Sequence, residues 1–592
     1  MRHEGMTAKV QSDRHRSGAS PGALMLLLLA TVHASVAAPA QPSVAKSAQA
    51  PAGGVAAIAI PDSFGADAAQ AVLDRGGNAV DAAVAVGFVL AVTYPEAGNL
   101  GGGGFMLIYH DGKPEFLDYR ETAPAAATRD MYLDAQGNPK QDDSLVGHRA
   151  SGVPGTVAGL WAAHERYGTL PWRDLVAPAI ALARNGFIPS QQMAKRVWED
   201  LGGYESRTNM AQYYGNVKAG ERFVQPELAA TLARIAERGE EEFYRGRTAE
   251  LIAAEMKRGG GLITAQDLAA YRAIWREPLV ADWRDYELLA APLPSSGGFA
   301  LIQLLTMKDV LAKDFAGVAQ NSAQYVHLVA EMEKRVFADR AEYLGDPDYV
   351  KVPFAKLIEP AYIARRAAEV QPNRISSLED VRPGLESTST THFSILDGAG
   401  NAVANTYTLN GWYGSGVVVA GAGFLMNNEM NDFSIKHGVP NYYGVVGGNA
   451  NEIAPGKRML SSMSPTILLR DGKVAMVVGT PGGSTIFTSV FQTIVNILDY
   501  GMTPQQAVAS TRFHHQLVPP TDIRYSPCCP LPETTLAGLR EMGYAPRPNS
   551  WEFGDLQVVW VDPAGRVMAA SDPRGRGDSR VLTEVAKAKA AP

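Results

Sequence analysis

Five consecutive hydroxyl residues, from Ser387 to Thr391, lead directly into a strong β-hairpin pattern in the second half of the chain. The pattern predicts strands at 391–397 and 402–409 around a Gly-Ala-Gly-Asn turn. A threonine hydroxyl becomes a competent nucleophile when a base lies beside it, and the free α-amine of the same residue can be that base. If Thr390 is such a residue, the bond between Ser389 and Thr390 must break before turnover, so the chain would be a proenzyme. The alternative is a hydroxyl-rich loop between domains.

The N-terminus has the pattern of a secretory signal. Basic residues such as Arg14 and Arg16 precede an apolar run at 23–30, and mostly small residues follow it. We therefore predict a signal peptide at 1–38, a disordered linker at 39–53 and a periplasmic or secreted mature protein. The run is shorter than the roughly 18 residues of a spanning helix, and no cysteine follows it for lipid attachment, so no membrane anchor is expected after cleavage. An uncleaved signal anchor is the alternative.

Composition narrows the classes of partner. The 592 residues are 46% hydrophobic and 19% charged, which is typical of a globular protein with an ample core. The net charge of -7, without any basic block interleaved with aromatics, gives no reason to expect nucleic acid as a partner. The two cysteines, Cys528 and Cys529, are neighbours, so the fold cannot rest on disulfides, and no structural metal site is predicted around them.

Hydrophobic periodicity differs between the two parts of the chain. The first part is mostly helical, above all from 155 to 344, after a few strands near its start. Beyond residue 390 three hairpins are predicted, at 391–409, 465–479 and 555–571, with helices between the last two. Strand pairs with intervening helices favour an α+β fold of stacked sheets covered by helices.

The Pro481-Gly-Gly-Ser484 segment is predicted to end a strand and open a helix, with Ser484 as the helix cap. At a helix N-terminus the amides of Gly482 and Gly483 can point outward and bind an oxyanion. A tight structural turn is the alternative.

A third set of residues carries the charges that would bind the carboxylate and the ammonium of an amino acid. A guanidinium with hydroxyl donors suits a carboxylate, and carboxylates with an amide suit an ammonium. The candidate carboxylate ligands are Arg120, Ser461 and Ser462, and the candidate ammonium ligands are Asn410, Glu429 and Asp432. Each of these residues alone would more often be a solvated surface group.

Several short segments together identify a family. They are Gly101-Gly-Gly-Gly-Phe105, Tyr119-Arg-Glu-Thr-Ala-Pro124, Gly152-Val-Pro-Gly155, Pro294-Ser-Ser-Gly-Gly298, Thr390-Thr-His-Phe-Ser394, Thr406-Tyr-Thr-Leu-Asn410, Asn427-Asn-Glu-Met-Asn-Asp-Phe433, Leu460-Ser-Ser-Met-Ser-Pro465, Pro481-Gly-Gly-Ser484, Arg512-Phe-His-His515 and Asp572-Pro-Arg574. With these segments, from about residue 54 to the C-terminus, the chain resembles a bacterial γ-glutamyltranspeptidase, also called glutathione hydrolase, of the N-terminal nucleophile hydrolase superfamily.

The resemblance implies a fold and a maturation step. The expected fold is a four-layer αββα sandwich, formed jointly by a large subunit at 54–389 and a small subunit at 390–592 after self-cleavage. The two subunits of one precursor would remain associated as a heterodimer. Glutathione and other γ-glutamyl compounds would be donors, and water, amino acids or peptides would be acceptors of the glutamyl group. No metal or organic cofactor is implied.

The resemblance also implies roles for single residues. Thr390 matches the family's nucleophile, and Thr408 matches a second threonine that contacts the new α-amine. Gly482 and Gly483 match the oxyanion amides. The matched ligands of the α-carboxylate are Arg120, Ser461 and Ser462, those of the α-amino group are Asn410, Glu429 and Asp432, and Tyr443 lies in a matched lid at 437–448.

Two other functions remain open at this point. A relative of the same fold could be a glutaryl, cephalosporin-type acylase or a poly-γ-glutamate hydrolase, although Asp432 and the lid favour a short substrate with a free ammonium. An unprocessed periplasmic binding protein is a remote alternative. Departures from the family pattern occur at Ala97-Gly-Asn-Leu100 and at Arg576-Gly-Asp578, outside the presumed catalytic groups. We expect His514 and His515 to have structural roles, since the α-amine already supplies a base.

Overall fold

The structure is a computed structural model that describes residues 54–204, 206–378, 381, 391–436 and 448–583. The predicted signal peptide and linker, Ser389, Thr390 and Tyr443 lie outside these ranges, as does nearly all of the matched lid. None of the helices in the described ranges is both long and apolar enough to cross a membrane.

Strands and helices from both parts of the chain build the molecule. The strands are β1 (Ala56–Ile60), β2 (Gly103–His110), β3 (Lys113–Tyr119), β4 (Ile274–Arg276), β5 (Leu279–Trp283), β6 (Tyr286–Ala290), β7 (Thr391–Leu396), β8 (Ala402–Thr408), β9 (Thr466–Arg470), β10 (Lys473–Gly479), β11 (Phe513–His514), β12 (Asp522–Tyr525), β13 (Ala545–Pro548), β14 (Gln557–Val561), β15 (Val567–Ser571) and β16 (Asp578–Leu582). The helices are α1 (Ser63–Asp74), α2 (Ala79–Thr93), α3 (Gln141–Leu145), α4 (Thr156–Tyr167), α5 (Trp172–Asn185), α6 (Gln191–Tyr204), α7 (Met210–Tyr214), α8 (Pro226–Arg238), α9 (Glu240–Tyr244), α10 (Arg247–Gly259), α11 (Ala265–Ala270), α12 (Gly297–Val310), α13 (Ala312–Phe315), α14 (Ala323–Tyr343), α15 (Phe354–Leu357), α16 (Pro360–Ala368), α17 (Thr485–Leu498), α18 (Pro504–Ala509) and α19 (Glu533–Glu541).

Two large antiparallel sheets carry most of the strands. The seven-stranded sheet has the order β16-β1-β7-β8-β2-β3-β4, and the six-stranded sheet has the order β15-β14-β10-β9-β6-β5. Each sheet therefore contains strands from before and after residue 390. In the first sheet β1 lies between β16 and β7, so strands distant in sequence pair directly. A third, three-stranded sheet is formed by β11, β12 and β13.

Both faces of each large sheet are buried, which produces four layers. Successive residues of β1 alternate in direction: Ile58 packs into a core shared with α1 and α2, whereas Ala57 faces a core shared with the second sheet. Met476 and Val478 on β10 face the opposite way, into a core with α12, α14 and α17. The order helices, sheet, sheet, helices confirms the predicted α+β four-layer αββα sandwich.

The three hairpins predicted beyond residue 390 are confirmed as β7–β8, β9–β10 and β14–β15. Within the range 155–344, where mostly helix was expected, the chain also forms β4 and the hairpin β5–β6. These strands escaped prediction because they have three to five residues, too few for a period to stand out among longer helices.

Cys528 and Cys529 are bonded to each other. A bond between neighbours closes no long loop, so the fold rests on its packed cores.

Candidate functional site

The ends of three strands converge where the first part of the chain meets the second. β2 pairs with β3 on one side and with β8 on the other, so that Gly104 lies opposite Tyr119 and Gly103 lies opposite Thr408. β10, in the second sheet, packs against β7 and β8. Residues that directly follow β3, β8 and β10 therefore come together at one edge of the sandwich.

Arg120, the residue after β3, is the centre of a buried charge cluster. One of its terminal nitrogens lies 2.8 Å from Glu429 Oε2, and the other lies 2.5 Å from Asp432 Oδ2. Glu121 Oε2 lies 3.6 Å from the same guanidinium. The side chains of Arg120, Glu121 and Glu429 are almost completely buried, and that of Asp432 is 11% exposed. We call Arg120, Glu121, Glu429 and Asp432 the Arg120 cluster.

The Arg120 cluster has an excess of acidic groups. One guanidinium and three carboxyl groups give a formal charge of −2 when all are ionised. Burial raises the pKa of Glu429 and of Glu121, although the charge of Arg120 opposes the shift. Burial alone would lower the pKa of Arg120, but its attraction to Glu429 and Asp432 outweighs burial and raises that pKa. A cationic group entering the cluster would stabilise the ionised carboxylates.

Ser461 and Ser462 are held beside this cluster by a segment from the first part of the chain. The Ser461 amide donates to the Pro294 carbonyl over 2.8 Å, and the Ser296 amide donates to the Ser461 carbonyl over 2.7 Å. Two residues earlier, the Met459 carbonyl accepts a hydrogen bond from Arg120 Nε over 3.4 Å. The predicted carboxylate ligands Arg120, Ser461 and Ser462 therefore lie in one region.

Asn410 connects β8 to the loop that carries Glu429. Its amide donates to Thr408 Oγ1 over 2.7 Å, and its side-chain nitrogen donates to the Asn428 carbonyl over 3.0 Å. Asn410 has a φ of +74°, a region that asparagine tolerates better than most residues. Asn427 anchors the same loop by donating to the Gly101 and Gly152 carbonyls over 2.7 and 2.9 Å. The predicted ammonium ligands Asn410, Glu429 and Asp432 are thus brought together.

Thr391, which follows the predicted nucleophile in the sequence, begins β7. It pairs with Tyr407, the residue before Thr408.

The turn after β10, Pro481 to Ser484, contains two consecutive glycines with positive φ. Gly482 and Gly483 have φ values of +136° and +57°. The Gly482 carbonyl accepts from the Thr485 amide over 3.1 Å, while neither glycine amide donates to any residue in the described ranges. We call this segment the glycine turn.

Ser484 occupies the predicted N-cap position of α17, but its side chain does not cap the helix. Its hydroxyl donates instead to Gln516 Oε1 over 3.1 Å. The reason is that the backbone of Ser484 is already helical, with φ −56° and ψ −28°, whereas a capping residue is usually extended.

His514 and His515 are buried, in agreement with a structural role. Burial lowers the pKa of His514 to about 3 and that of His515 to about 4. His514 Nε2 lies 3.1 Å from Gln516 Oε1, the acceptor of the Ser484 hydroxyl, so this ring supports the glycine turn from behind.

A cavity of about 630 Å³ opens beside the glycine turn, and we call it the side cavity. Gly482, Gly411 and Asn428 line it, and Asn428 directly precedes Glu429 of the Arg120 cluster. Its other walls include Trp412 and Trp551. The volume is within the range of small-molecule sites.

Sequence reasoning missed four contributors to the site. Glu121 directly follows Arg120, and Asn427 opens the segment that contains Glu429, so both stood inside recognised segments. Arg340 Nε donates to Ser296 Oγ over 2.8 Å beneath Ser461, and the signal for it was the number of charged residues along the buried helix α14. Asp555 lines the side cavity, and its sequence surroundings gave no signal.

The chain is similar to known proteins over most of its length. Residues 65–582 match the family model described as gamma-glutamyltranspeptidase. The glutathione hydrolase proenzyme of Pseudomonas aeruginosa is 58% identical over 527 residues, which cover 89% of this chain and 94% of that protein. A solved gamma-glutamyltranspeptidase from Pseudomonas nitroreducens, complexed with L-DON, is 57% identical, with a TM-score of 0.54, over 55% of this chain and 96% of that chain. A cephalosporin acylase from Bacillus halodurans is 25% identical, with a TM-score of 0.76, over 92% of this chain and 98% of that chain.

Proposed function

Because the chain belongs to the γ-glutamyltranspeptidase family, we propose that it cleaves the γ-glutamyl amide of glutathione and related compounds through a threonyl acyl-enzyme. The observation that carries this proposal is the Arg120 cluster, in which one buried guanidinium lies among three carboxyl groups. The α-carboxylate of a γ-glutamyl group would bind Arg120, with Ser461 and Ser462 as further donors. Its ammonium would bind Glu429, Asp432 and Asn410 and balance the negative excess of the cluster.

Maturation precedes this reaction. The hydroxyl of Thr390 attacks the carbonyl carbon of Ser389, and the resulting ester is hydrolysed. This leaves a large subunit at 54–389, once the predicted signal and linker are excluded, and a small subunit at 390–592. The new α-amine of Thr390 has an ordinary pKa of about 8, so a useful fraction is neutral near pH 7. The position of Thr391 beside Tyr407 supports a role for Thr408 in contacting this amine.

In turnover the α-amine of Thr390 accepts the proton of its own hydroxyl as the oxygen attacks the γ-carbonyl carbon. The amides of Gly482 and Gly483 stabilise the oxyanion, and the lack of a hydrogen bond from either amide to any residue in the described ranges supports this role. The amine released from the substrate's amide bond leaves with a proton, and an ester between the glutamyl group and Thr390 remains. Water then releases glutamate, or the amine of an amino acid or peptide takes the glutamyl group.

We further propose that the mature protein is periplasmic or secreted, as the basic, apolar and small-residue order of 1–38 supports. Tyr443 would cover the bound glutamyl group as part of the lid.

The decisive comparison uses p-nitroanilides of γ-glutamate and of glutarate, which differ only in the α-amino group. We expect faster release of nitroaniline from the γ-glutamyl compound, because only that compound offers a cation to Glu429 and Asp432. Equal or faster release from the glutaryl compound would instead identify an acylase. The similarity to the cephalosporin acylase is the reason to test this second function.

Substituting Arg120→Lys tests the same site from the protein side. Lysine keeps the charge but loses the planar fork that binds a carboxylate through two hydrogen bonds. Loss of one charge-assisted hydrogen bond, about 1.5–3 kcal/mol, predicts a fall in kcat/KM of about 10- to 100-fold for the γ-glutamyl compound. Arg129→Lys is the matched control, because Arg129 pairs with Glu452 outside the cluster and is 31% exposed. Both variants must first show two polypeptides on a denaturing gel.

A further inference from the structure

The side cavity is lined by more acidic than basic residues. Five carboxylic residues and two arginines line it: Asp142, Glu199, Asp200, Glu552, Asp555, Arg196 and Arg574. An acidic lining by itself identifies no ligand, so the individual groups decide what the cavity can bind.

Asp555 lies close to the glycine turn. Its amide donates to Thr480 Oγ1 over 3.0 Å, and a Cβ at Gly482 would lie 3.5 Å from the amide nitrogen of Gly554. Asp555 is only 6% exposed, and its Oδ1 accepts from Gln557 Nε2 over 2.8 Å. Its Oδ2 has no hydrogen-bond partner in the part of the chain that the structure describes. A buried carboxyl oxygen in a cavity wall is costly unless a partner satisfies it.

The basic residues of the cavity wall are already engaged. Arg574 pairs with Asp572 over 3.0 Å and donates to the Val508, Ala509 and Ser510 carbonyls. The Arg196 guanidinium lies over the ring of Trp412, with 4.4 Å to its centroid. Behind the wall, Arg576 pairs with Glu96 over 2.6 Å. Arg574 also pairs with Glu552 over 3.6 Å, and the charge of Arg196 acts on Asp200. The five carboxylic residues of the wall still outnumber its two arginines.

Asp200 and Glu552 are two further acidic residues of the cavity wall. Asp200 Oδ2 and Glu552 Oε2 have no hydrogen-bond partner within the described ranges. Burial raises the pKa of Asp200 to about 6, so this group is mostly ionised at pH 7. Burial and the charge of Asp572 raise the pKa of Asp555, against the opposing charges of Arg576 and Arg512. A cation that enters the cavity would favour the ionised form of both carboxyl groups.

We propose that the side cavity binds acceptor amines that carry a second, positively charged group, with Asp555 and Asp200 as the carboxylates that select that charge. This inference rests on the proposed function and adds the acceptor class to it. The neutral α-amine of the acceptor attacks the ester carbonyl of the glutamyl enzyme, a C–N bond forms, and the C–O bond to Thr390 breaks. The amine proton passes to the Thr390 oxygen, which restores the free enzyme.

Competition between arginine and citrulline tests the proposal. The two amino acids have nearly the same shape and one α-amine each, but only arginine has a cationic end group. A γ-glutamyl p-nitroanilide supplies the glutamyl enzyme, and mass spectrometry measures the ratio of γ-glutamylarginine to γ-glutamylcitrulline. Both products arise from the same intermediate, so their ratio is independent of how fast that intermediate forms. We expect an arginine preference of about tenfold, the size of one charge-assisted hydrogen bond.

Asp555→Asn and Asp200→Asn should each bring this ratio closer to one, whereas Glu541→Gln, at the exposed end of α19, should leave it unchanged. Raising the ionic strength should also reduce the arginine preference of the unsubstituted protein. This measurement does not depend on whether a variant folds. Nitroaniline release with a ratio near one, or a citrulline preference, overturns this inference alone. Absence of nitroaniline release both with and without an acceptor overturns the proposed function and this inference with it.

Discussion

Gly482 has a φ of +136°, a backbone region that residues with a side chain rarely adopt. A Cβ at this position would also lie 2.6 Å from Thr485 Oγ1, inside normal contact distance. A side chain at residue 482 would therefore turn the amides of the glycine turn away from any oxyanion.

Substituting Gly482→Ala should reduce kcat by about 100-fold or more, as the loss of an oxyanion donor does elsewhere. Steady-state kinetics with a γ-glutamyl amide would measure this effect. Gly472→Ala is the matched control: Gly472 has a φ of +69° in the β9–β10 hairpin turn, and a Cβ there meets no atom within 4 Å. Gly472→Ala should also introduce a side chain at a position with positive φ, but it should leave kcat unchanged. Equal losses in the two variants would refute an oxyanion role for the glycine turn.

At the residue scale, the sequence predicted those groups whose residue type alone indicates what they can bind. Arg120, Glu429, Asp432 and the two glycines were predicted because a guanidinium, a carboxylate or an exposed amide suggests its ligand directly. Asp555 could not be found in this way. Its significance depends on burial, on the free Oδ2 and on closeness to Gly482, and only the folded chain supplies these.

β7 directly follows the predicted nucleophile in the sequence and packs against β10 of the other sheet. His392, its second residue, donates to or accepts from Thr406 Oγ1 over 2.8 Å and Ser394 Oγ over 3.1 Å. Its ring lies against Gly479, where a Cβ would be 2.3 Å from the ring. The close approach of β7 and β10 thus depends on a buried imidazole facing a glycine.

His392 should make stability depend on pH. Burial lowers its pKa to about 3, while an unfolded histidine titrates near about 6.5. Between these values the unfolded chain holds one more proton, so this residue's contribution to stability is present above about pH 6.5 and is lost as the pH falls. The difference in unfolding free energy between the unsubstituted protein and His392→Asn should shrink by about 3 kcal/mol from pH 7 to pH 4. Urea unfolding at several pH values measures it, and a difference that does not change with pH would contradict the neutral buried ring.

At the element scale, prediction succeeded where turns and periods were strong. The Gly-Ala-Gly-Asn turn marked the β7–β8 hairpin, and Asp471-Gly472 is the corresponding turn of β9–β10. A threonine before a proline is typical of a helix start, and Thr503 caps α18. The β5–β6 hairpin turns at Arg284, whose φ is +54°, and an arginine gives no turn signal in a sequence. Pairing between distant strands, such as β1 with β16, depends on the whole fold and was not predicted.

At the scale of the whole molecule, the chain after residue 390 cannot form its sheets alone. β7 pairs with β1, and β9 pairs with β6, so the proposed subunits share both sheets and the core between them. Cleavage before Thr390 would leave this packing intact.

The matured protein should therefore migrate as one particle in size-exclusion chromatography without denaturant, and as two polypeptides on a denaturing gel. Light scattering coupled to the column gives the mass of the particle. Separation of the two polypeptides in native buffer would contradict a jointly built sandwich.

The most direct measurement is the intact mass of the purified protein, compared with that of Thr390→Ala. For the unsubstituted protein we predict two polypeptides, the smaller beginning at Thr390, together with γ-glutamyl release. For Thr390→Ala we predict one uncut chain without that release. A fully active protein that consists of a single unbroken polypeptide would contradict the central claim, and normal cleavage of Thr390→Ala would move the nucleophile to Thr391 or Thr388.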